Sequence, residues 1–521
     1  MFRNCTMVVL ALFLVVGTTA LARAGSLTPM EELGKLLFFD KISEPNSMAC
    51  AECHGPRVGF TGPVPGFNLG GAVYPGAAPQ RFGDRKPPAN AYFTQSPIFH
   101  FDEEEGHFVG GAFWDGRATG EVLGSPAADQ ALGPFLNPVE QNNPSKRAVL
   151  EKVAAGQYTG LWEMVWGEPI AYETEAEIDM NYGRIGLAIA AYEGSSEVDQ
   201  FSSKFDLYWA DCVGAGNTPE ECGLAEGAKS ALDPNNILTD IEWDGLIEYG
   251  EYCAPCHVSH VPGPGGSAPL FTDFTYDNIG VPRNPENPFY DMDEVFLDDG
   301  SPINPLGDDF VDFGLGNFLR SRPEWQHLAA ENDGKFKVPT LRNVDKRPGN
   351  GFPKAYMHNG VFKTLLQVVH FYNTRDVAEE NWPPPEVDVN VNRELLEGVP
   401  LGDLQLAEEA EFAIVAFLRT LSDGFRGRRG SRTVSPISLN VTGPNPFNPS
   451  TFVTYSLPQP AVAKLYVFNV AGQKVATVVD GWKDAGEHRA TFVADGLPSG
   501  VYFLQLVSGS EKVTTKAVLL K

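Results

Sequence analysis

Positive charge is scarce in this sequence. Of its 521 residues, 39 are Lys or Arg and 67 are Asp or Glu, so the formal net charge is -28 at pH 7. A field of this sign repels a phosphate backbone over most of a protein surface, so we do not expect nucleic acid as a partner. Hydrophobic residues make up 43% of the chain, which is ordinary for a folded protein of roughly three to five domains.

Long apolar runs are scarce as well. The run Met7–Gly17 follows Arg3 and precedes the small-residue site Ala22–Ala24, a pattern typical of a secretory signal peptide. A membrane anchor is the alternative, but it needs about 20 unbroken apolar residues. We therefore predict a signal peptide at residues 1–24 and an exported protein, located in the periplasm, at the cell surface or outside the cell, with no transmembrane segment.

Cysteine occurs only seven times, yet four of the seven form two C-x-x-C-H motifs, Cys50–His54 and Cys253–His257. In an exported protein this motif attaches haem c: both thiols bind the porphyrin, and the adjacent His ligates the iron. A zinc site built from two C-x-x-C pairs has them about 15–20 residues apart, whereas these lie about 200 apart, and a thioredoxin-like pair requires no following His. The motifs predict two covalent haems, with these cofactor-binding residues: Cys50, Cys53, His54, Cys253, Cys256 and His257.

Two further cysteines, Cys212 and Cys222, have nine residues between them in a segment that contains Gly, Asn and Pro. An oxidising compartment favours a disulfide between them. We expect this pair to lie in a loop and to be structural.

The same helix-start signal precedes each haem motif. Thr28 and Glu31 form a capping box before a helix that extends through Phe39, and Thr239 and Glu242 form another before Cys253. Two tandem haem domains follow from this repetition, at residues 25–230 and 231–423. They are mainly α-helical, with helices at Tyr182–Glu193 and Glu408–Leu421 and irregular loops at Gly55–Pro88 and Val261–Asn317.

The spacing of apolar residues along the chain changes after a linker at residues 424–436. Apolar residues then alternate along the chain, which predicts a small all-β, immunoglobulin-like antiparallel sandwich at residues 437–521. The alternating residues are Val453, Tyr455 and Leu457, then Leu465 and Val467, then Val501 and Phe503. Asn445–Ser450 and Lys516–Lys521 resemble the C-terminal sorting domain of type IX secretion cargo, which implies secretion machinery as a partner; an ordinary accessory domain is the alternative.

Four segments beside the haem motifs resemble the bacterial di-haem cytochrome c peroxidase and MauG family. The resemblance covers about residues 27 to 423 and is carried by Gly111–Arg117, Gln130–Glu140, Val338–Asn343 and Ala355–Gly360. In that family the N-terminal haem reacts with peroxide beneath a glutamate, so the resemblance implies Glu140 as a catalytic acid–base group with Gln130 and Pro134 beside it. A buried carboxylate can relay the proton that peroxide cleavage needs, whereas a solvated loop charge is the plainer alternative.

Some family members place a His over the first iron, in the loop after the haem motif. Residues 58–90 contain no His, so we expect an open coordination position that needs no reductive activation. His100 and His107 remain alternatives.

The resemblance also implies roles for four residues between and beside the haems. Trp114 corresponds to a tryptophan that bridges the two haems, with core packing as the alternative. Arg117 and Arg342 resemble partners of haem propionates or buried carboxylates. His358 lies near the second haem in the family pattern, and a buried, hydrogen-bonded His is the equal alternative.

The second iron's further ligand separates the branches of the family: peroxidases use Met, whereas MauG uses Tyr. Counted from His358, the position falls on Tyr372, and no Met follows His358. There are two alternatives: His370 is the ligand, or Tyr372 is a buried core residue that binds no iron. The family also holds a calcium ion between the haems, bound by an Asn side chain and two backbone carbonyls, so the resemblance implies one calcium. Pro353–Ala355 and Arg85–Pro88 stand at these positions here, so its ligands are left unassigned.

These inferences predict an oxidoreductase of the MauG-like branch that reduces hydrogen peroxide. Its electrons come from a small cytochrome c or cupredoxin. Two alternatives remain: an enzyme that oxidises aromatic residues of a partner protein, as MauG does, and a non-enzymatic electron-transfer cytochrome.

Overall fold

The computed structural model describes residues 27–349, 351–425, 437–457, 461–483, 486–508 and 511–521. The predicted signal peptide at residues 1–24 and most of the predicted linker lie outside the described residues. Among the described helices, none combines the length and the apolar character needed to cross a membrane.

Helices and long irregular segments make up the described chain as far as residue 425. The helices are α1 Pro29–Phe39, α2 Cys50–Cys53, α3 Pro65–Leu69, α4 Pro126–Leu136, α5 Lys146–Ala154, α6 Thr159–Trp166, α7 Glu175–Glu193, α8 Lys204–Gly214, α9 Pro219–Leu224, α10 Lys229–Leu232, α11 Asp240–Tyr252, α12 Leu315–Arg320, α13 Leu365–Thr374 and α14 Glu408–Arg419. Short strands pair within the irregular segments: β1 His100–Asp102 with β2 His107–Val109, β3 Tyr276–Asp277 with β4 Phe336–Lys337, and β5 Glu394–Leu396 with β6 Val399–Pro400.

Both predicted capping boxes are confirmed. Thr28 and Glu31 cap α1, and Thr239 and Glu242 cap α11. Helix α11 ends at Tyr252, so Cys253 is its C-terminal cap and the second haem motif follows directly. The predicted helices at Tyr182 and Glu408 are also present, although α7 begins earlier, at Glu175, and α14 ends at Arg419.

Two helix crossings of the same design support the two haem motifs. Helix α1 packs against α7, and α11 packs against α14. At each crossing a glycine lies against a backbone carbonyl of the partner helix: Gly34 against Ala188, and Gly245 against Ala413. Because no side chain separates the backbones, each motif is attached closely to a buried helix.

The disulfide between Cys212 and Cys222 is confirmed, with Cα atoms 6.0 Å apart. The expected loop is wrong in detail, because Cys212 lies in α8 and Cys222 lies in α9. Both sulfurs are buried in the core that also contains Trp209 and Tyr249. The bond therefore joins two short helices that pack beside α11.

Antiparallel strands form the C-terminal region. They are β7 Ser438–Val441, β8 Ser450–Leu457, β9 Ala461–Phe468, β10 Lys474–Lys483, β11 Gly486–Val493, β12 Gly500–Ser508 and β13 Glu511–Leu519. One sheet has the order β10-β9-β12-β13 and the other β11-β8-β7, and a single apolar core contains residues of both.

The predicted inward faces of β8 and β9 are confirmed, since Val453, Tyr455 and Leu465 are buried. On β12 the prediction is wrong: Phe503 is exposed, whereas Tyr502 and Leu504 are buried. Both faces of this strand carry apolar residues, so alternation alone does not select one. The pairing of β12 between β9 and β13 decides which face packs inward.

The crossing of α11 and α14 generates a stability prediction. Gly245→Ala places a methyl group against the Ala413 carbonyl, so overpacking should lower the free energy of unfolding by ~1–3 kcal/mol. Calorimetry of the haem-loaded protein should show a lower melting temperature. Gly160→Ala is the control: open space surrounds Gly160 in α6, so this change should be neutral or slightly stabilising. Equal melting temperatures for both variants would contradict the close crossing.

Candidate functional site

Each motif histidine is held by a hydrogen bond to a backbone carbonyl. The ring Nδ1 of His54 lies 3.1 Å from the Phe60 oxygen, and Nδ1 of His257 lies 3.0 Å from the Phe271 oxygen. A carbonyl accepts only from a protonated nitrogen, so Nε2 carries the lone pair in both rings. This is the tautomer and the support that a metal-ligating His requires.

The four motif cysteines are free thiols. Burial is the main cause that raises the pKa of Cys50, Cys253 and Cys256 to about 12, and it raises the pKa of Cys53 further. Thiols with pKa values raised in this way remain protonated at neutral pH. They are available for the covalent attachment that the motifs predict.

A large cavity adjoins the second motif, with about 1500 Å³ of empty space when its open mouth is included. Cys253, Cys256 and His257 lie in its wall. The remaining wall is mostly apolar and includes Leu341, Val344, Leu365, Val369, Leu401 and Ile414. An apolar cavity beside two thiols and a supported imidazole fits a covalently bound haem.

Tyr372 lies in the wall of this second-motif cavity, on α13. Burial is the largest cause that raises the pKa of its phenol. His370, the alternative ligand, is two residues away, about 200° around the helix. Its Nδ1 lies 2.8 Å from Glu411 and its Nε2 lies 3.2 Å from Glu380, so two carboxylates occupy both ring nitrogens. The structure brings Tyr372 to the cavity and directs His370 away from it.

Trp114 separates the second-motif cavity from a smaller cavity of about 570 Å³ and lines both. Gln130, Asn90 and Phe113 line the smaller one. The indole Nε1 of Trp114 donates to the Lys86 carbonyl at 2.8 Å, which fixes the plane of the ring. Trp114, the predicted bridge residue, thus lies in the wall that the two cavities share.

Glu140 follows α4 and lies near the first motif. Its carboxylate accepts a hydrogen bond from Asn137 at 3.1 Å. Burial raises the pKa of Glu140, and the positive charge of Arg117 acts in the opposite direction. After burial, the charge of Glu140 is the largest cause of the raised pKa of Cys53, so the carboxylate lies near the motif.

Two residues near the first motif were missed by the sequence reasoning. Gln141 places Nε2 3.7 Å from the Cys50 sulfur. Glu193 is buried, and its carboxyl group accepts a hydrogen bond from the Asn90 amide at 2.6 Å. Burial raises the pKa of Glu193 to about 8. Only the position of Gln141 next to Glu140 offered a signal in the sequence. The alternative ligands His100 and His107 lie on the β1–β2 hairpin, and neither lines the two cavities.

Both predicted arginines have carboxylate partners. Arg342 is fully buried and donates from Nη2 to the two oxygens of Asp206 at 2.8 and 2.7 Å. Arg117 is 43% exposed and donates to Asp115 at 2.8 Å. The expected roles were pairing with a haem propionate or with a carboxylate of the protein. The described contacts show the second role.

His358 is buried in the wall of the second-motif cavity, and its ring stacks on Phe336 at 3.5 Å. Its Nε2 has no hydrogen-bond partner among the described residues. Burial lowers the pKa of His358 to about 3, although the nearby charge of Asp312 opposes this. Arg85 joins Asp312 and Asp115 beside it, at 2.6 and 2.7 Å.

The two segments at the expected calcium position, Pro353–Ala355 and Arg85–Pro88, each contribute a buried lysine. The Lys354 ammonium donates to three backbone carbonyls, and the Lys86 ammonium donates to Thr61 and to the Pro87 carbonyl. Two cations at this position repel a third. Among the described residues, no group of three or more His, Cys, Asp or Glu side chains could hold a metal ion. The lysine contacts at this position therefore do not fit the expected calcium ion.

Comparisons with known proteins agree with this geometry. Residues 28–212 match the family model of di-haem cytochrome c peroxidase, and residues 444–520 match the secretion system C-terminal sorting domain. The methylamine utilization protein MauG of Paracoccus denitrificans is 32% identical over 420 residues, which cover 78% of this chain and 92% of MauG.

Two other proteins are similar over much of the chain. Cytochrome-c peroxidase IdrP2 of Denitromonas iodatirespirans is 27% identical over 409 residues, 77% of this chain and 83% of that protein. The crystal structure of the diheme peroxidase BthA from Burkholderia thailandensis has a TM-score of 0.55 at 29% identity, over 76% of this chain and 87% of BthA. With both haem motifs supported in the same way, the chain belongs to the di-haem cytochrome c peroxidase and MauG family and carries a C-terminal secretion sorting domain.

Proposed function

We propose that this protein is an exported di-haem peroxidase that reduces hydrogen peroxide to water with electrons from an external redox protein. The observation that carries the proposal is the unequal surroundings of Trp114. The half-buried carboxylate of Glu140 lies near the first motif, whereas Tyr372 lies in the wall of the second-motif cavity, which Trp114 also lines.

The two haems, when bound, supply the redox chemistry, and the protein supplies the proton transfer. Reduction of hydrogen peroxide takes two electrons and two protons and yields two water molecules. Cleavage of the O–O bond requires that a proton leave one peroxide oxygen and reach the other. Glu140 is suited to this transfer because burial raises its pKa toward the working range of a general acid–base group. Gln130, buried in the wall of the smaller cavity, offers an amide to orient the peroxide.

Trp114 provides an aromatic path between the two sites. The hydrogen bond to Lys86 and the packing in both cavity walls hold the indole in one orientation. A fixed ring shortens the gap that an electron must cross, which lets the second site share the oxidising equivalents produced at the first.

Tyr372 is proposed as the second ligand of the iron near His257. A phenolate is an anionic oxygen donor and favours higher oxidation states than the Met of ordinary peroxidases. This choice, with the 32% identity to MauG, favours a second candidate function: oxidation of aromatic residues on a partner protein. In the first function the donor is a small cytochrome c or a cupredoxin.

Export is proposed to use secretion machinery that recognises the C-terminal sorting domain at residues 444–520. The final location is then the periplasm, the cell surface or the medium. The boundaries 25–230, 231–423, 424–436 and 437–521 are the proposed division of the chain.

Glu140→Gln tests the proton transfer. The variant keeps the shape of the side chain but removes its acid–base function, so the reaction with peroxide should slow by about 10²–10⁴-fold while both haem spectra persist. Stopped-flow absorption measures the rate. Glu163→Gln, which changes an exposed carboxylate on α6, is the control and should react at the wild-type rate. An unchanged rate in Glu140→Gln assigns the proton transfer to another residue.

Tyr372→Phe tests the ligand of the second iron. Loss of the phenol should open a coordination position and convert a low-spin ferric signal into a high-spin one in the EPR spectrum. His370→Gln should leave that signal in place, because both ring nitrogens of His370 contact carboxylates. The reverse pattern would make His370 the ligand. If both irons in the wild-type protein are low-spin and inert to peroxide, the protein is an electron-transfer cytochrome and the enzymatic proposal fails.

Removal of residues 437–521 tests the sorting role. Haem content and peroxide kinetics should remain those of the full chain, because Glu140, Trp114 and Tyr372 all precede this region. In a cell that has the matching secretion system, fractionation should show that the shortened protein stays in the periplasm. Loss of haem from the shortened protein would instead make the β-sheet region part of the catalytic unit.

A further inference from the structure

Lys354 places an ammonium group inside the protein, between the loops of the two sites. Its side chain is buried, and Nζ donates to the carbonyl oxygens of Val58 at 3.0 Å, Asn343 at 3.3 Å and Lys346 at 3.2 Å. Three acceptors require three N–H donors, which an ammonium has and a neutral amine lacks. Burial lowers the pKa of Lys354 to about 7, and the carboxylate of Asp345 opposes that shift. The positive charges of Lys86, Arg347 and Lys346 lower this pKa as well, so the three carbonyl acceptors are what favour the ammonium form.

The three carbonyls belong to two different parts of the site. Val58 lies in the loop after the first haem motif, and the Phe60 carbonyl of the same loop accepts the hydrogen bond from His54. Asn343 lies between Leu341 and Val344, two residues in the wall of the second-motif cavity. One ammonium thus ties the support of the first histidine to the wall of the second cavity.

Lys86 reinforces the same link. Its Nζ donates to the Thr61 hydroxyl and to the Pro87 carbonyl, both at 3.0 Å. Its backbone N–H donates to the His358 carbonyl at 2.8 Å, and its own carbonyl accepts from Trp114. The Lys86 ammonium also lies 5.9 Å from the Trp114 ring.

We propose that the ammonium of Lys354, supported by that of Lys86, is a built-in cation that takes the place of a calcium ion between the two haem sites. A calcium ion takes six to eight oxygen ligands at about 2.3–2.6 Å, commonly with carboxylates among them. The three carbonyl oxygens around Lys354 instead lie at hydrogen-bonding distances from its Nζ. The protein therefore needs no calcium to hold the two sites in their mutual arrangement, and Lys354 is a positioning residue for His54.

Metal analysis of the haem-loaded wild-type protein gives the first test. After dialysis against EGTA, mass spectrometry of the metals should find iron but no stoichiometric calcium. The EPR spectrum and both reduction potentials should be the same before EGTA, after EGTA and after added calcium chloride. Stoichiometric calcium, or a spectrum that EGTA changes and calcium restores, overturns the proposal.

Lys354→Met gives the second test, because it keeps most of the length of the unbranched side chain and removes the charge. We expect a shifted EPR signal of the first haem, an altered iron–histidine vibration and an electron exchange between the haems that is about 10- to 100-fold slower, the size of effect expected when the support of a metal ligand is lost. Lys363→Met is the matched control: its Nζ also joins two backbone carbonyls, those of Gly70 and Gly360, at 2.6 and 2.7 Å. The control should keep the wild-type spectrum and exchange rate.

Rescue separates a positioning cation from simple packing. In Lys354→Ala, added methylammonium should restore part of the wild-type EPR signal. Without the added cation, the same variant should not show the wild-type signal. Wild-type spectra in Lys354→Met, or no rescue of a folded Lys354→Ala, overturn the proposal. If neither variant folds, the EGTA experiment on the wild-type protein decides. None of these readouts depends on peroxide turnover, so they fail or succeed independently of the peroxidase proposal.

Discussion

The hydrogen bond from each motif histidine to a backbone carbonyl is the constraint on which the rest of the site depends. The C-x-x-C-H motif fixes the position of the histidine in the chain, but its imidazole ring can rotate and can exist in two tautomers. The Phe60 and Phe271 carbonyls fix both choices at once. Each carbonyl must therefore be held in place, and the long irregular segments of this fold provide that support. They are ordered by side-chain contacts to backbone groups because they lack the regular hydrogen bonds of helices and sheets.

Two buried cations between the sites, Arg85 and Lys354, have well-defined acceptors. Arg85 is shared between Asp115 and Asp312, and Lys354 is surrounded by carbonyl oxygens. Removing one partner of such an arrangement leaves an uncompensated charge, which typically costs more than the arrangement contributes when complete. Buried ion pairs are thus weak evidence for stability but strong evidence for position. In this protein they set the distance and angle between the loops that carry His54, Trp114 and His358.

The sequence predicted what is local and left open what depends on distant contacts. Capping boxes involve residues three apart, so the starts of α1 and α11 were predictable, and the haem motifs specify their own chemistry. Lys354 and Val58 are 296 positions apart, and no local pattern reports that contact. The ligand positions expected for calcium showed only that lysines stood there. The inward face of β12 escaped prediction for a related reason, since apolar residues occupy both faces and the neighbouring strands make the choice.

The choice between the two candidate functions depends on how strongly the two sites are coupled. A peroxidase needs the second site only as an entry for electrons, and a Met ligand serves that purpose. An enzyme that oxidises a partner protein must instead hold oxidising equivalents until the partner is in place, which requires a second site that stabilises the oxidised state. Tyr372, the proposed ligand in the cavity wall, would be the anionic donor for this, and Trp114, held by its hydrogen bond to Lys86, is the proposed path between the two sites. A built-in ammonium would make this coupling independent of the calcium concentration around a protein that carries a secretion sorting domain.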